Sequence, residues 1–139
     1  MDLFGTAGIR GPVTEITPEL ALSVGRAVAG HVTDAGSETV VVARDGRETG
    51  RALASAVEAG LASGGVDVRR AGKLPTPGLA FASRSRYGVM LTASHNPPED
   101  NGIKLFADGT EFDREAEKDI ERRLSAGTTQ AAWDGWGEA

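Results

Sequence analysis

Three short apolar runs, separated by two stretches of helical period, restrict this chain to a narrow set of folds. Within Glu38 to Ala43 the run Val40-Val41-Val42-Ala43 is too short for a helix and too continuous for a strand with one wet face. It reads as a strand buried on both faces. Val66 to Arg70 is a second short strand, and residues 87–91, ending in Val89-Met90-Leu91, are a third. Between the first two, Leu53, Ala56, Val57, Gly60 and Leu61 share one helical face, and Gly64-Gly65 supplies a glycine stop. After the connector KLPTPG, residues 73–78, Pro77 opens a helix carrying Leu79, Ala80, Phe81 and Ala82. The order βαβαβ predicts an α/β fold: three layers, with a mostly parallel mixed sheet covered by helices on both faces.

The flanks add to this frame. Thr17-Pro18-Glu19 combines an N-cap, a proline at the first helical position and an acid in the first turn. Leu20, Val24, Ala27, Val28 and His31 then carry a helix to about Val32. His31 closes the stripe as a residue facing the helix dipole, with no chemistry assigned to it. Ile103 to Phe106 predicts a further short strand, and Asp108-Gly109 a hairpin turn before Thr110 to Phe112, giving an antiparallel edge. Asp113 caps a last helix bearing Ala116, Ile120 and Leu124. From Ser125 the periodicity stops. The expected organisation is one domain over residues 1–125 and a linker or tail over 126–139 that holds Trp133 and Trp136.

At 139 residues a single domain can bury about two-thirds of its unfolded surface, so it needs no staples, and the chain has no cysteine. Its net charge of −5 argues against a nucleic-acid surface, and no basic run with interleaved aromatics is present. With neither a signal peptide nor a long apolar span, the expectation is a soluble cytoplasmic protein with no membrane partner.

One stretch concentrates reactive side chains. MLTASHNPPEDNGIKLF, residues 90–106, follows the third strand, and Pro97, Pro98 and Gly102 argue against helix or continuous sheet there. Ser94, His95, Asn96 and Lys104 are therefore expected on one loop, with Ser94 at a strand exit, where α/β sheets bind ligands. Ser, His and Asn beside proline are also ordinary turn formers, so this composition leaves both readings open. A second charged loop, RDGRETG at residues 44–50, leaves the first strand. Asp45 and Arg47 are expected to pair there and buttress the site rather than touch substrate. LFGTAGIRG, residues 3–11, packs three glycines and Arg10 into a loop whose backbone must come close to something.

TASHNPPEDNGIKLF resembles the phosphoserine loop of the α-D-phosphohexomutases, the family of phosphoglucomutase, phosphomannomutase and phosphoglucosamine mutase. LFGTAGIRG resembles that family's N-terminal signature, and RDGR its GRDGR loop. Two departures are Ala7, where many members carry an acid, and Ala43 in place of the first glycine of GRDGR. The resemblance implies a fold like the family's first domain and a serine, Ser94, that carries the phosphoryl group. Arg10 would face it, and Lys104 would act as general acid or base or as an electrostatic clamp. His95 and Asn96 would orient the loop and the phosphoryl group. Arg10, Asn96 and Lys104 would also contact a hexose phosphate, and the phosphate would pass through a 1,6-bisphosphate. It further implies Mg²⁺, bound to Ser94 through its phosphate and to three aspartates of a DGDxDR loop that this sequence does not contain. The partners expected are therefore the remaining domains of a longer protein, and the isolated chain is expected to turn over little. The alternative is a stand-alone phosphoacceptor or binding module without mutase chemistry. A phosphatase is disfavoured, since a lone serine gives no route to activated water.

Overall fold

The computed structural model describes residues 3–5 and 8–139. Its elements are β1 (Ile9–Pro12), α1 (Pro18–Asp34), β2 (Thr39–Arg44), α2 (Gly50–Ser63), β3 (Asp67–Lys73), α3 (Thr76–Ala82), β4 (Tyr87–Leu91), β5 (Asp100–Ala107), β6 (Thr110–Glu111) and α4 (Arg114–Ala126). They form one mixed sheet in the order β1-β5-β4-β2-β3, with β6 paired to β5. β2 lies parallel to both β3 and β4, whereas β5 runs antiparallel to β4 and β1 antiparallel to β5.

The continuous apolar runs are buried on both faces because strand side chains alternate. Val40, Val42, Val89, Leu91, Ile103 and Leu105 face α1, α2 and α4 in the larger core cluster. Val41, Ala43, Met90 and Phe106 meet Leu79 of α3 in a smaller one. The expected three-layer α/β arrangement is thus present. Close packing of α1 on α2 depends on two glycines. A Cβ on Gly25 would stand 2.5 Å from Val57 O, and one on Gly60 would stand 2.2 Å from Leu22 O.

The helix signals operate as written in the sequence. Thr17 accepts from Leu20 N at 3.1 Å, and Asp113 from Ala116 N at 2.8 Å, so both caps satisfy a first-turn amide. At the hairpin, Asp108 and Gly109 both take positive φ, 50° and 85°, as a two-residue connection of this twist requires.

Three features differ from expectation. Residues 9–11, expected in a loop, belong to β1, because pairing with β5 satisfies a backbone whose own residues signal little. β5 begins at Asp100 rather than Ile103, so Gly102 joins the strand that already holds Lys104, and neither lies on the serine loop. His31 does more than close a helix: its Nδ1 lies 2.7 Å from Asp119 Oδ2 of α4, and its ring packs 5.1 Å from Phe112 and 5.9 Å from Tyr87. Ala7, the departure from the N-terminal signature, lies outside the described residues.

Residues beyond α4 have no regular structure but lie along α2 and β3. Ala131 N donates to Ser63 O at 2.7 Å, Gly137 N to Ala62 O at 2.8 Å, and Val68 N to Glu138 O at 2.7 Å. The last of these occupies a donor on the open edge of β3, which would otherwise invite another strand. Trp136 fastens the segment to itself through Nε1 to Ala131 O at 3.0 Å, while Trp133 is 88% exposed. Among the described residues no helix is long and apolar enough to cross a membrane.

α4 is anchored by two carboxylates near its middle, Asp119 and Glu121. Buried Glu121 accepts from Leu3 N at 2.7 Å and Phe4 N at 3.3 Å, holding the segment that leads into β1. Asp119 accepts from Arg123 Nε at 2.8 Å beside the His31 contact. Burial would raise the Asp119 carboxyl, but the hydrogen bonds from Arg123 and His31 and their charges bring it down to about 2. A lowered carboxyl contributes stability that is complete above its unfolded value near 4 and is lost as pH falls through about 2. Asp119→Asn should therefore cost about 1 kcal/mol at neutral pH, allowing for screening of a cluster near the surface. It should also remove part of the stability loss between pH 4 and 2, read from urea midpoints across that range.

Candidate active site

β2 and β4 are parallel neighbours, so their carboxyl ends release two loops at the same edge of the sheet, residues 45–49 and 92–99. Asp45 N donates to Leu91 O at 3.1 Å, which ties the first loop to the end of the strand that feeds the second. The fastening between them is Arg47. Its Nη1 donates to Pro97 O at 2.7 Å and Asp100 O at 3.2 Å, its Nη2 to Asn96 O at 3.0 Å and to Ala93 O, and its Nε to Asp45 Oδ2 at 3.4 Å. A guanidinium has five N–H donors in a rigid fork, and here each has an acceptor. The expected Asp45–Arg47 pair is present, but its larger work is to collect four carbonyls of the serine loop onto one cation.

With its carbonyls gathered inward, the loop leaves Ser94 and His95 exposed. Ser94 Oγ lies 3.1 Å from Thr92 Oγ1, and Thr92 Oγ1 donates to Asp45 Oδ2 at 2.6 Å. Asn96 acts within the loop: its amide Nδ2 donates to Asp100 Oδ2 at 3.0 Å, and its backbone N donates to Ala93 O at 2.7 Å. Asn101, fully buried, donates to Thr49 Oγ1 at 2.9 Å and accepts from Gly102 N at 2.8 Å, joining the start of β5 to the start of α2. A groove of about 880 Å³ opens between the two loops, lined by Asp45, Arg47, Thr49, Ser94, Asn96 and Glu99, among others.

Arg10 and Lys104 come to the same region from β1 and β5. Arg10 pairs with Gly102, and Lys104 with Met90, so strand alternation places both cations on the α3 side of the sheet. Glycines make this possible. A Cβ on Gly8 would stand 2.6 Å from Ile103 O and 2.9 Å from Lys104 Cγ. One on Gly102 would stand 2.6 Å from Ile9 O, 2.7 Å from Thr92 O and 2.9 Å from Arg10 Cβ. Each cation therefore lies across from a residue with no side chain, and Gly102 sits between Arg10 and Thr92. Arg10 is exposed and Lys104 half-buried, and among the described residues neither has a hydrogen bond or an ion pair. Neither lines the groove beside Ser94.

The region thus combines an exposed hydroxyl on a fixed loop with two cations on neighbouring strands that have no carboxylate partner among the described residues. It is not a metal centre by itself. Among the described residues no group of three or more His, Cys, Asp or Glu side chains could hold a metal ion, and Asp45 Oδ2 is taken by Thr92 and Arg47. These residues therefore do not complete the Mg²⁺ site that the resemblance implies.

A three-layer domain is what the family description phosphoglucomutase/phosphomannomutase, alpha/beta/alpha domain I, names, and the family model matches residues 1–131. The chain belongs to this family. It is 48% identical over 139 residues to a phosphopentomutase of Thermococcus kodakarensis, covering 96% of this chain and 30% of that protein. To a phosphoglucosamine mutase of Rhodococcus jostii it is 49% identical over 143 residues, covering 97% and 32%. The crystal structure of a phosphoglucomutase/phosphomannomutase family protein from Burkholderia thailandensis superposes with a TM-score of 0.84 at 33% identity, over 98% of this chain and 32% of that one. The chain spans about a third of the length of the curated relatives it matches.

Of the residues singled out from sequence, Ser94, His95 and Asn96 share the loop, while Arg10 and Lys104 reach its vicinity on strands. Thr92, Asn101 and the full reach of Arg47 were not legible. Their distant partners lie 46 to 53 residues away, and those of Arg47 are backbone carbonyls, which no side-chain pattern announces. Arg47→Ala should cost about 2–3 kcal/mol, because several partly buried acceptors lose a charged donor at once. Amide exchange should quicken over residues 93–100 more than in β2. Arg47→Lys should recover little of either, since an ammonium lacks the fork.

Proposed function

We propose that this chain is the phosphoserine-bearing first domain of a longer phosphohexomutase, which interconverts hexose 1-phosphate and hexose 6-phosphate with Ser94 as the phosphoryl carrier. The observation that supports this most directly is an exposed serine on a loop held by Arg47, with Arg10 and Lys104, unpaired among the described residues, on strands that reach the same sheet edge. In the working direction the bond between Ser94 Oγ and phosphorus breaks as a sugar hydroxyl oxygen bonds to the phosphorus. That hydroxyl's proton passes through a base to the departing Ser94 Oγ, giving free serine and a 1,6-bisphosphate. After the bisphosphate turns over, Ser94 Oγ attacks the phosphorus of its other phosphate, and the bond from that phosphorus to the sugar oxygen breaks. The serine proton passes to that oxygen, so the carrier is restored and the sugar leaves as its isomer.

Each residue has a part consistent with its position. Lys104 and Arg10 offset the charge of a phosphoryl group that carries close to two negative charges at neutral pH. Lys104, half-buried, can also hold or release a proton at the transferring oxygen. Asn96 braces the loop through Asp100, and His95, exposed beside the serine, is available to the phosphoryl oxygens or the sugar. Mg²⁺ would supply Lewis-acid charge neutralisation at the phosphoryl group, with ligands beyond Ser94 drawn from elsewhere in the longer protein. The sugar-reading residues belong there too, so glucose, mannose and glucosamine are not distinguished by these 139 residues. The chain alone should turn over little or no substrate.

Peptide mapping of the protein purified from cells should place one phosphoryl group on Ser94, and Ser94→Ala should remove it. Consistent phosphorylation of a different residue would overturn the assignment. In the protein that carries the remaining domains, Lys104→Ala and Arg10→Ala should each lower kcat by on the order of a hundredfold.

A further inference from the structure

Thr92 is part of none of the roles above, yet its hydroxyl is the direct side-chain partner of Ser94. It is 2% exposed, and its Oγ1 lies between two oxygens, Asp45 Oδ2 at 2.6 Å and Ser94 Oγ at 3.1 Å. An ionised carboxylate only accepts, and a threonine hydroxyl has one proton. The short contact to Asp45 is of charge-assisted length and commits that proton to the carboxylate. Ser94 must then be the donor in the remaining contact, with Thr92 Oγ1 its acceptor. Asp45 is itself held, since Oδ1 accepts from Arg47 N at 3.1 Å and Oδ2 lies 3.4 Å from Arg47 Nε. The direction of the Ser94 hydroxyl is in this way inherited from the backbone of the neighbouring loop.

We propose that Thr92 is a positioning residue for phosphoryl transfer. It fixes the rotamer and the proton direction of Ser94, so that the Oγ lone pairs face away from Thr92 and stay available to phosphorus. This rests on the reading of Ser94 as phosphoryl carrier and deepens it. A consequence follows for the phosphorylated state. The ester oxygen has no proton, so with the Thr92 proton on Asp45 the 3.1 Å contact would set two acceptors face to face. Phosphorylation therefore moves Ser94 out of the rotamer that it holds when free.

NMR on the chain tests this. Three-bond couplings should give the unmodified Ser94 a single staggered χ1. Thr92→Val, which keeps the shape and loses the hydroxyl, should average it, and Thr92→Ser should restore one value. The chain with phosphoserine at position 94 should show a different χ1 from the free serine. Ser94 equally fixed in Thr92→Val, or one rotamer shared by the free and phosphorylated chains, would overturn the proposal. Should Thr92→Val fail to fold, the unmodified chain still decides. The Thr92 hydroxyl proton should exchange slowly enough in the cold to be observed, with a contact to Ser94, and its loss in fast exchange would count against the proposal. In the protein with its remaining domains, Thr92→Val should lower kcat by on the order of tenfold with KM changed little, and Thr92→Ser should recover most of it. Absence of phosphate from Ser94 would instead be a failure of the carrier reading, whatever its rotamer.

Discussion

The guanidinium of Arg47 is the interaction on which the site depends. Loops at strand exits are ordinarily held by their own turns, and this one contains two adjacent prolines that cannot donate. Its carbonyls at positions 93 and 97 also accept from Asn96 N and Asp100 N, two turns that the guanidinium joins to the carbonyls at 96 and 100. Gathering them on a single cation turns a flexible connector into a support with a defined shape. Because Arg47 belongs to the loop after β2, the shape is referred to the parallel strand beside β4, in the best-buried part of the sheet. Rigidity is carried from the core to the serine in three steps: strand, guanidinium, loop.

The sheet also explains why the site gathers residues from such distant parts of the chain. β2 and β4 are parallel, so their loops open on one edge. β5 starts at that same edge because it returns antiparallel, and β1, paired to β5, ends there. Residues near positions 10, 45, 94 and 102 are brought together by topology alone. Glycines at 8 and 102 let the backbones of β1 and β5 approach without a side chain displacing either cation.

What could be read from sequence was what short-range pattern encodes. The apolar runs at 40–43 and 89–91, the caps at Thr17 and Asp113 and the Asp108-Gly109 turn each state their structure within a few residues. β1 and the first half of β5 did not, because glycine, arginine and proline there signal loop and the strand forms only through its partner. Lys104 was read both as part of the serine loop and as part of a strand from Ile103, and the structure places it in β5. The Asp45–Arg47 pair was legible at a spacing of two. Thr92 was not, since its acceptor comes from a loop 47 residues earlier and its role depends on a proton count rather than on residue type.

Among the described residues neither Arg10 nor Lys104 has a carboxylate partner, although the chain has a net charge of −5. Lys104 is diagonal to Arg10 across the β1–β5 pair, a separation of roughly 7–8 Å between backbones. Both side chains lie on the α3 side of the sheet, so an anion bound there would be attracted by two cations carried on separate strands.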